Sequence, residues 1–409
     1  MAVTPVDPRM PGAQSGRPMR TQSSGGGLSF LYQRETRQII YQVLLALAII
    51  WFFYSIITNT ITNLRLRGIA SGFGFLNSTA SFDISQPWFG YSSTSSYGKA
   101  FLVGIMNTIA VAVVGIFFAT IIGFAAGIAR LSKNWLVAKI ATSYVEIVRN
   151  LPLLLQLFFW YGVVLAALPE PRGSWSIFDA IFVNKRGVNV PKAEWLPGSG
   201  FFFLSILLAI ALAIAVLIWG NRKQLATGKR PPVLWINLLV LFGLPTLVFL
   251  LMGKPINLEY AEKGRFNLTG GSTLVPEYVA LTLGLAVYTG AFIAEIVRSG
   301  ILGVPRGQTE ASRAIGLTNG QSLRLVIVPQ ASRIIIPPLT SQFLNLTKNS
   351  SLAVAIGYQE TYSVGGTINN QTGQAVETVL MIMAVYLTLS LLTSAFMNWF
   401  NKRMALVER

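Results

Sequence analysis

The chain has 409 residues, of which 53% are hydrophobic and 11% are charged. Soluble globular proteins carry about 25% charged residues, so this composition excludes a soluble protein and predicts an integral membrane protein. The formal net charge of +17 comes from basic residues that flank apolar segments and form no continuous patch, which argues against nucleic acid and for contact with anionic membrane lipid.

The long apolar runs predict an all-α bundle of about eight transmembrane helices, because the strands of a membrane barrel would alternate in polarity instead. Eight spans place both termini on one side of the membrane. The arginines before the first span, among them Arg34 and Arg37, assign that side to the cytoplasm. The predicted spans are 39–57, 101–129, 152–168, 200–219, 233–252, 278–297, 331–357 and 376–398.

The N-terminal part divides into a tail and a first span. Residues 1–29 are rich in Pro, Gly, Ser and Arg and contain no apolar core. They predict a disordered cytoplasmic tail and not a signal peptide. Residues 30–99 hold the first span and a polar segment that we expect in the periplasm, with the helix continuing, exposed, over 58–66. At the other end, 401–409 are expected to be a cytoplasmic tail.

The second span carries small residues at every fourth position, namely Gly115, Ala119, Gly123 and Gly127. A ladder of this kind lets another helix approach closely. We therefore expect one tightly packed helix pair at this span.

The third apolar region is interrupted by Asn150-Leu151-Pro152. Proline lacks a backbone donor and disfavours a helical residue before it. We expect 136–149 to form a separate amphipathic or re-entrant helix and 152–168 to form the span. For Glu146 and Arg149, three residues apart on the first piece, we weigh a local ion pair at the membrane surface against substrate contact and favour the ion pair.

A polar stretch at 305–330 separates two of the apolar segments. Residues 308–315 lack a helix breaker and predict a short helix, and Gly316 can end that helix by taking a positive φ. Residues 322–328 predict a second helix, with Pro329 bending the chain into the next span. A helix–Gly–helix element at a membrane face suits docking of another protein.

The residues of this stretch resemble a known motif: Glu310-Ala311-Ser312, three residues, Gly316, nine residues, then Val326-Ile327-Val328-Pro329. This pattern looks like the EAA loop of ABC importer permeases, Glu-Ala-Ala, three residues, Gly, nine residues, Ile-x-Leu-Pro. Ser312 replaces the second Ala, and two valines replace Ile and Leu. The resemblance covers 100–168 and 276–400. Within the family, the sequence is similar to the polar-amino-acid uptake branch, in the extended form of the general L-amino-acid permeases.

The resemblance implies a type I ABC importer permease-like bundle with a cytoplasmic coupling helix, in the bacterial inner membrane. It also implies a cytoplasmic ABC ATPase dimer, a periplasmic amino-acid-binding protein and a second permease subunit of a different chain. The core would comprise 100–168 and 276–400, with 169–275 as an insertion of periplasmic loops and two helices. The coupling residues that it assigns are Glu310, Ala311, Ser312, Arg313, Gly316 and Pro329.

The seventh span is polar on one face, where Gln342, Asn345 and Asn349 recur at helical spacing with Lys348 beside them. Amides in a membrane face the bundle or a wet cavity. We weigh a substrate pathway and interhelical hydrogen bonds equally for Asn345 and Asn349, and favour a structural or gating pair for Lys348. Weaker candidates for the substrate pathway are Asn107, Thr108, Gln156, Tyr161 and Thr289. We expect Glu295 and Arg298, at the end of the sixth span, to form a salt bridge.

Missing residue types exclude several chemistries. The chain has no Cys and no His, which removes disulfides, thiolate nucleophiles and the commonest metal ligand and general base. It also has no P-loop pattern, so we expect no cofactor on this chain and ATP with Mg on a partner ATPase. The alternative is an ion-coupled secondary transporter of small polar solutes, which would require intramembrane acids and inverted repeats that the sequence does not display.

Overall fold

The structure is a computed structural model that describes residues 34–66, 72–229, 231–264 and 267–404. The chain divides into two units, residues 1–71 and residues 72–409. The expected disordered tail at 1–29 and the last five residues of the expected C-terminal tail lie outside the described residues.

The described part of the first unit is helix α1, Arg34–Leu66, with 33 residues. At about 1.5 Å per residue it exceeds the roughly 30 Å of a bilayer core. Its apolar side chains, among them Trp51 and Phe53, are exposed along its length. The predicted continuation of this helix over 58–66 is confirmed.

The second unit is mostly helical. Turns of π-helix extend α4 (Phe159–Val164), join α6 to α7 (Leu239–Gly243) and join α10 to α11 (Leu323–Ile327), and 3₁₀ turns occupy Phe73–Asn77, Pro171–Gly173 and Ser350–Ile356. The α-helices are α2 (Tyr97–Ala129), α3 (Trp135–Asn150), α4 (Leu153–Phe158), α5 (Ser199–Thr227), α6 (Val233–Leu238), α7 (Leu244–Leu251), α8 (Pro276–Leu302), α9 (Arg306–Ala314), α10 (Asn319–Ser322), α11 (Val328–Asn349), α12 (Thr361–Thr372) and α13 (Ala375–Met404).

Within the described ranges, six helical segments are long and apolar enough to cross a membrane: α1, α2, α5, α6 with α7, α8 and α13. The bent pair of α3 with α4 would make a seventh. The remaining predicted span corresponds to α11, which has 22 residues but whose amides and Lys348 make it too polar to qualify by composition. The predicted extent of that span, 331–357, agrees with the helical segment from Val328 to Ile356, of which the last seven residues form a 3₁₀ helix.

Helix α8 lies at the centre of the bundle and packs along α2. A Cβ at Gly123 would lie 2.4 Å from Ile293, and one at Gly127 would lie 2.7 Å from the carbonyl oxygen of Ala294. The small-residue ladder therefore makes the close helix pair that was predicted. Since the contacts advance together along both helices, α2 and α8 run in the same direction. Gly115 departs from this pair, because it faces Leu346 of α11.

The contacts of α8 define two ends of the bundle. At one, α8 runs into α9, and Gly300 meets Ile335 near the start of α11; we call it the coupling end. Helix α11 thus runs antiparallel to α8. We call the opposite end, where α8 begins, the sheet end.

The predicted break before Pro152 is confirmed. Helix α3 ends at Asn150, Leu151 is extended with φ −97° and ψ 135°, and the next helix turns away by 110°. The extended Leu151 is what a following proline imposes. The chain thereby changes direction without a long loop.

Short strands at the sheet end were not predicted. One antiparallel sheet has the order β1 (Trp175–Ile177), β2 (Ile181–Asn184), β3 (Gly187–Val190) and β8 (Ser272–Leu274), and two pairs join β4 (Lys192–Trp195) to β5 (Ile256–Glu259) and β6 (Glu262–Lys263) to β7 (Leu268–Thr269). The register pairs Val188 with Leu274 and Val190 with Ser272. The all-α expectation therefore needs this correction: the two loops of the insertion fold together, while α5, α6 and α7 form the hairpin between them.

We predict that Gly123→Ala destabilises the protein by about 1–3 kcal/mol, because the new methyl group overlaps Ile293 and forces α2 and α8 apart. Gly366→Ala is the matched control, since a Cβ at this helical glycine meets nothing within 4 Å. Thermal unfolding of the purified protein in detergent measures both. Equal melting temperatures for the two variants would contradict the close packing of α2 on α8.

Candidate functional site

The segment between α8 and α11 is a rigid helix–Gly–helix element. Gly316 has φ +85°, as predicted. The amide of Leu317 donates to the carbonyl of Ser312 at 3.1 Å, and that of Gly316 donates to Arg313 at 2.9 Å. This pair of bonds is a Schellman motif, which satisfies carbonyls at the end of α9.

The second helix of the element begins earlier than 322–328, the predicted range. Thr318 and Gln321 form a capping box, in which each side chain accepts a hydrogen bond from the other residue's backbone amide. Pro329 follows the π turn Leu323–Ile327 as the second residue of α11, where its missing N–H removes one bond of the continuous helix. The chain thus passes from α10 through a π turn into α11 without a break.

Ser312 stands where the EAA motif has its second Ala, and the structure supplies a reason. Its hydroxyl is hydrogen-bonded to that of Ser322 and donates to the carbonyl of Thr309 at 2.8 Å. Both serines are buried. Ser312 therefore fastens α9 to α10 from the inside, which the sequence pattern alone did not reveal.

The outer surface of this element mixes charge with apolar groups. Glu310, Ala311 and Arg313 are exposed, and Ile315 and Leu325 are 77% and 61% exposed. Exposed large apolar side chains among charges are typical of a surface that contacts another protein. The inner face is fastened and the outer face is free, as docking requires.

A polar cavity of about 210 Å³ lies between α8 and α11. Of the larger cavities, two of about 350 Å³ each are lined almost entirely by apolar side chains, and one of about 580 Å³ lies between α5 and the start of α6. The 210 Å³ cavity combines amides and hydroxyls with aromatic faces. Its lining residues are Tyr288, Thr289, Phe292, Gln342, Asn345 and Asn349.

The predicted polar face of α11 therefore meets α8 at this cavity. Of the weaker candidates, Thr289 also lines it. Sequence reasoning missed Tyr288 and Phe292, whose ring centroids lie 5.0 Å apart. Their spacing of four residues around Thr289 could have placed them on the same helix face. Lys348 is exposed beside the cavity and does not line it.

Asn107 and Thr108 lie away from this cavity, in a buried network near the sheet end. Asn107 is 0% exposed; it accepts from the Trp88 indole at 2.7 Å and donates to the carbonyl of Gln359 at 2.8 Å. Both polar ends of its amide are occupied. The geometry gives Asn107 the task of holding the 72–96 segment on the bundle, so it does not join the cavity residues.

Thr108 belongs to a cluster around Glu360, which sequence reasoning also missed. The Glu360 carboxylate is 0% exposed and accepts from Tyr386 at 2.6 Å, Thr108 at 3.1 Å and the backbone amides of Tyr362 and Ser363 at 2.9 and 3.0 Å. Glu360 thus caps α12 and ties it to α2 and α13. A buried carboxylate with four donors is structurally constrained.

Gln156 and Tyr161 likewise have partners of their own. The Gln156 amide donates to the carbonyls of Val148 and Leu151 at 2.8 and 3.0 Å, which satisfies acceptors freed by the break before Pro152. Tyr161 donates to Glu277 at 2.9 Å. Gln156 therefore stabilises the bend, and its amide does not line the polar cavity.

An ion cluster lies on the coupling-end side of the cavity. Arg298 donates to Glu295 at 2.6 Å, which confirms the predicted salt bridge. Arg130 also contacts Glu295 directly, and Arg149 lies 3.8 Å from the same carboxylate. The predicted local pair of Glu146 with Arg149 was wrong, because the fold brings α8 close enough for Arg149 to turn to Glu295.

Comparison with known proteins places these features in a family context. The family model for the binding-protein-dependent transport system inner membrane component matches residues 231–406. The chain is 51% identical over 392 residues to the general L-amino acid transport system permease protein AapQ of Rhizobium johnstonii, covering 95% of this chain and 98% of that protein.

Two further relatives also match over nearly their whole length. Identity is 46% over 395 residues with the putative amino-acid ABC transporter permease protein YhdX of Escherichia coli, covering 95% of this chain and 99% of that protein. It is 40% over 420 residues with the glutamate/glutamine/aspartate/asparagine transport system permease protein BztB of Rhodobacter capsulatus, covering 94% and 98%.

We predict that Asn107→Leu destabilises the protein by about 1–3 kcal/mol, because it leaves the Trp88 indole and the Gln359 carbonyl without a partner. The same substitution at the exposed Asn345 serves as the control and is expected to change stability by no more than about 0.5 kcal/mol. Thermal unfolding in detergent compares them. A stable Asn107→Leu variant would show that the buried bridge contributes little.

Proposed function

Because this chain belongs to the binding-protein-dependent transport family of inner membrane components, as a permease subunit of an amino-acid ABC transporter, we propose that its substrate path includes the cavity between α8 and α11. One observation carries the proposal. The helix–Gly–helix element joins α8 directly to α11, and these are the two helices that line the polar cavity. Movement of that element is therefore transmitted to both walls of the cavity.

The chain is a multi-pass inner membrane protein and a translocation subunit, not an enzyme. Its relatives are ABC permeases, so the alternative of an ion-coupled secondary transporter is wrong. ABC importer permeases work with ATPase subunits and a substrate-binding protein. We assign ATP binding and hydrolysis, with Mg, to a separate ATPase dimer, and no cofactor to this chain.

The coupling step follows from the rigidity of the element. Closure of the ATPase dimer on ATP would pull on α9 through its outer surface, including Glu310, Ala311, Arg313 and Gly316. The Schellman motif and the Ser312–Ser322 bond keep α9 and α10 from moving apart. A displacement at the docking surface then shifts α8 and α11, which alternates access to the cavity.

The cavity suits the two charged ends of an amino acid. Carbonyl oxygens of Gln342, Asn345 and Asn349 accept from an ammonium group, and their NH₂ groups and the Tyr288 and Thr289 hydroxyls donate to a carboxylate. The names of two relatives, for general L-amino acids and for glutamate, glutamine, aspartate and asparagine, support amino acids as cargo.

A second permease subunit accounts for the outer face of α11. Ser341, Asn345 and Lys348 are exposed in this chain at spacings of four and three residues, so they share one helix face. An amide and an ammonium facing lipid would be unfavourable. We infer that a different permease chain covers this face, and that Lys348 pairs across the interface or gates the path.

Orientation and chain organisation complete the proposal. Both termini and the coupling end face the cytoplasm, while the sheet end faces the periplasm and its binding protein. The permease core comprises 100–168 and 276–400, with 30–99 added before it and 169–275 inserted within it. Anionic lipid contacts the basic cytoplasmic loops.

We predict that Glu310→Lys and Gly316→Pro each lower amino-acid-stimulated ATPase activity of the assembled complex at least about tenfold, the scale for a lost charged contact at an interface. Proline requires a negative φ and therefore breaks the Schellman motif. The control is Gly320→Ala, where a Cβ meets nothing within 4 Å. Stimulation that survives in both variants would remove the coupling role of this segment.

We predict that Gln342→Leu or Asn349→Leu lowers amino-acid uptake about tenfold, because one charged end of the substrate loses a hydrogen-bond partner. The exposed Asn401 at the end of α13 supplies the control Asn401→Leu. Uptake into proteoliposomes is measured alongside co-purification of the ATPase, which all three variants should retain. Normal uptake with both cavity variants would show that the substrate path does not pass through this cavity.

A further inference from the structure

The arginine cluster on the coupling-end side of the cavity is not explained by docking or by hydrogen bonding to the cargo. Three guanidinium groups, from Arg130, Arg149 and Arg298, share the Glu295 carboxylate. Three positive charges against one negative leave a surplus of two. Basic side chains are common at the cytoplasmic ends of membrane helices, so the arrangement of the three arginines, and not their number, distinguishes the cluster.

The three arginines are not equivalent. Arg298 and Arg130 contact Glu295 directly, and Ser299 donates to the same carboxylate at 3.2 Å. Arg149 is the loosest, at 3.8 Å, and its side chain is 39% exposed. Glu295 is therefore already well satisfied, and Arg149 is the cation that retains capacity to bind another carboxylate.

Arg149 is also the arginine that reaches the cavity wall. Its guanidinium carbon lies 5.2 Å from the centre of the Phe292 ring, in the range of a cation–π contact. Phe292 lines the polar cavity with Asn349 and its neighbours. One aromatic ring thus separates the cavity from a loosely held positive charge on its coupling-end side.

The charges around the cavity are biased in one direction. The six lining residues are uncharged, and Lys348 is exposed next to Asn349. The acidic residues of α8 are Glu277 and Glu295, of which Glu277 accepts from Tyr161 near the sheet end; α11 has none. A substrate leaving towards the coupling end therefore meets cationic side chains, and the Glu295 carboxylate that it meets is already paired; Glu146, one turn before Arg149 on α3, is exposed.

We propose that Arg149 is a charge-selectivity residue for the transported amino acid. As the substrate passes Phe292, the guanidinium exchanges its loose contact with Glu295 for a carboxylate of the substrate. Acidic amino acids, which carry a second carboxylate, gain most from this exchange, neutral ones gain less, and cationic ones are repelled. The proposal rests on the proposed path through the cavity between α8 and α11.

The test compares initial uptake of L-glutamate and L-glutamine, which have nearly the same shape, by the whole complex in proteoliposomes with saturating binding protein. Arg149→Gln is expected to lower the glutamate-to-glutamine ratio about three- to fivefold, the scale of a partly exposed charge pair. Arg149→Lys should retain most of the ratio. Arg298→Gln is the control. Arg298 also contacts Glu295, but the arginine that contacts the cavity residue Phe292 is Arg149.

A second variant guards against poor assembly of Arg149→Gln. Glu295→Gln removes the competing carboxylate and is expected to raise the same ratio. An equal fall of both uptakes in Arg149→Gln and Arg298→Gln, with unchanged ratios in all variants, would mean that the cluster only braces the helices and would overturn the proposal. Normal uptake of both amino acids by Gln342→Leu and Asn349→Leu would instead refute the proposed path, whatever the ratios of the arginine variants.

Discussion

The close approach of α2 and α8 is the contact on which the rest of the structure depends. Gly123 and Gly127 leave room for Ile293 and for the backbone at Ala294, so α8 is enclosed along most of its length. An enclosed α8 presents one face to α11, where the cavity forms, and carries the coupling segment from its end. Loss of that contact would therefore affect the cavity and the docking element together.

Polar groups in the bundle show how an apolar environment constrains the fold. Each buried amide or carboxylate described here is matched by partners: Asn107 by Trp88 and Gln359, Gln156 by two carbonyls, and Glu360 by four donors. Unmatched groups in such surroundings cost several kcal/mol. The cavity between α8 and α11 differs, because its amides face open space and remain available to a ligand.

Patterns that act locally could be predicted from the sequence, and those that depend on distant partners could not. The apolar runs predicted the spans, Pro152 predicted the break between α3 and α4, and Gly316 predicted a positive φ. Each of these features follows from one residue or run and its neighbours in sequence. The strands, α12 and the cluster around Glu360 depend on partners tens to hundreds of residues away. The same limit applies to the weaker candidates Asn107 and Thr108, which the fold places away from the cavity that Gln342 and Asn349 line. Arg149 is a further example of this limit, since its partner Glu295 lies on α8 and not on α3.

The pairing of β3 with β8 has a consequence for how such a chain can grow. Val190 and Ser272 are directly opposite each other in the antiparallel ladder, so the chain departs from and returns to adjacent positions. The segment between them, including the α5–α7 hairpin, begins and ends at this ladder, and its Lys263 also contacts Ser174 and Phe182. A two-residue turn could close the ladder in its place. The segment between Val190 and Ser272 therefore joins the rest of the chain at adjacent positions, so its length can change without altering the register of the ladder.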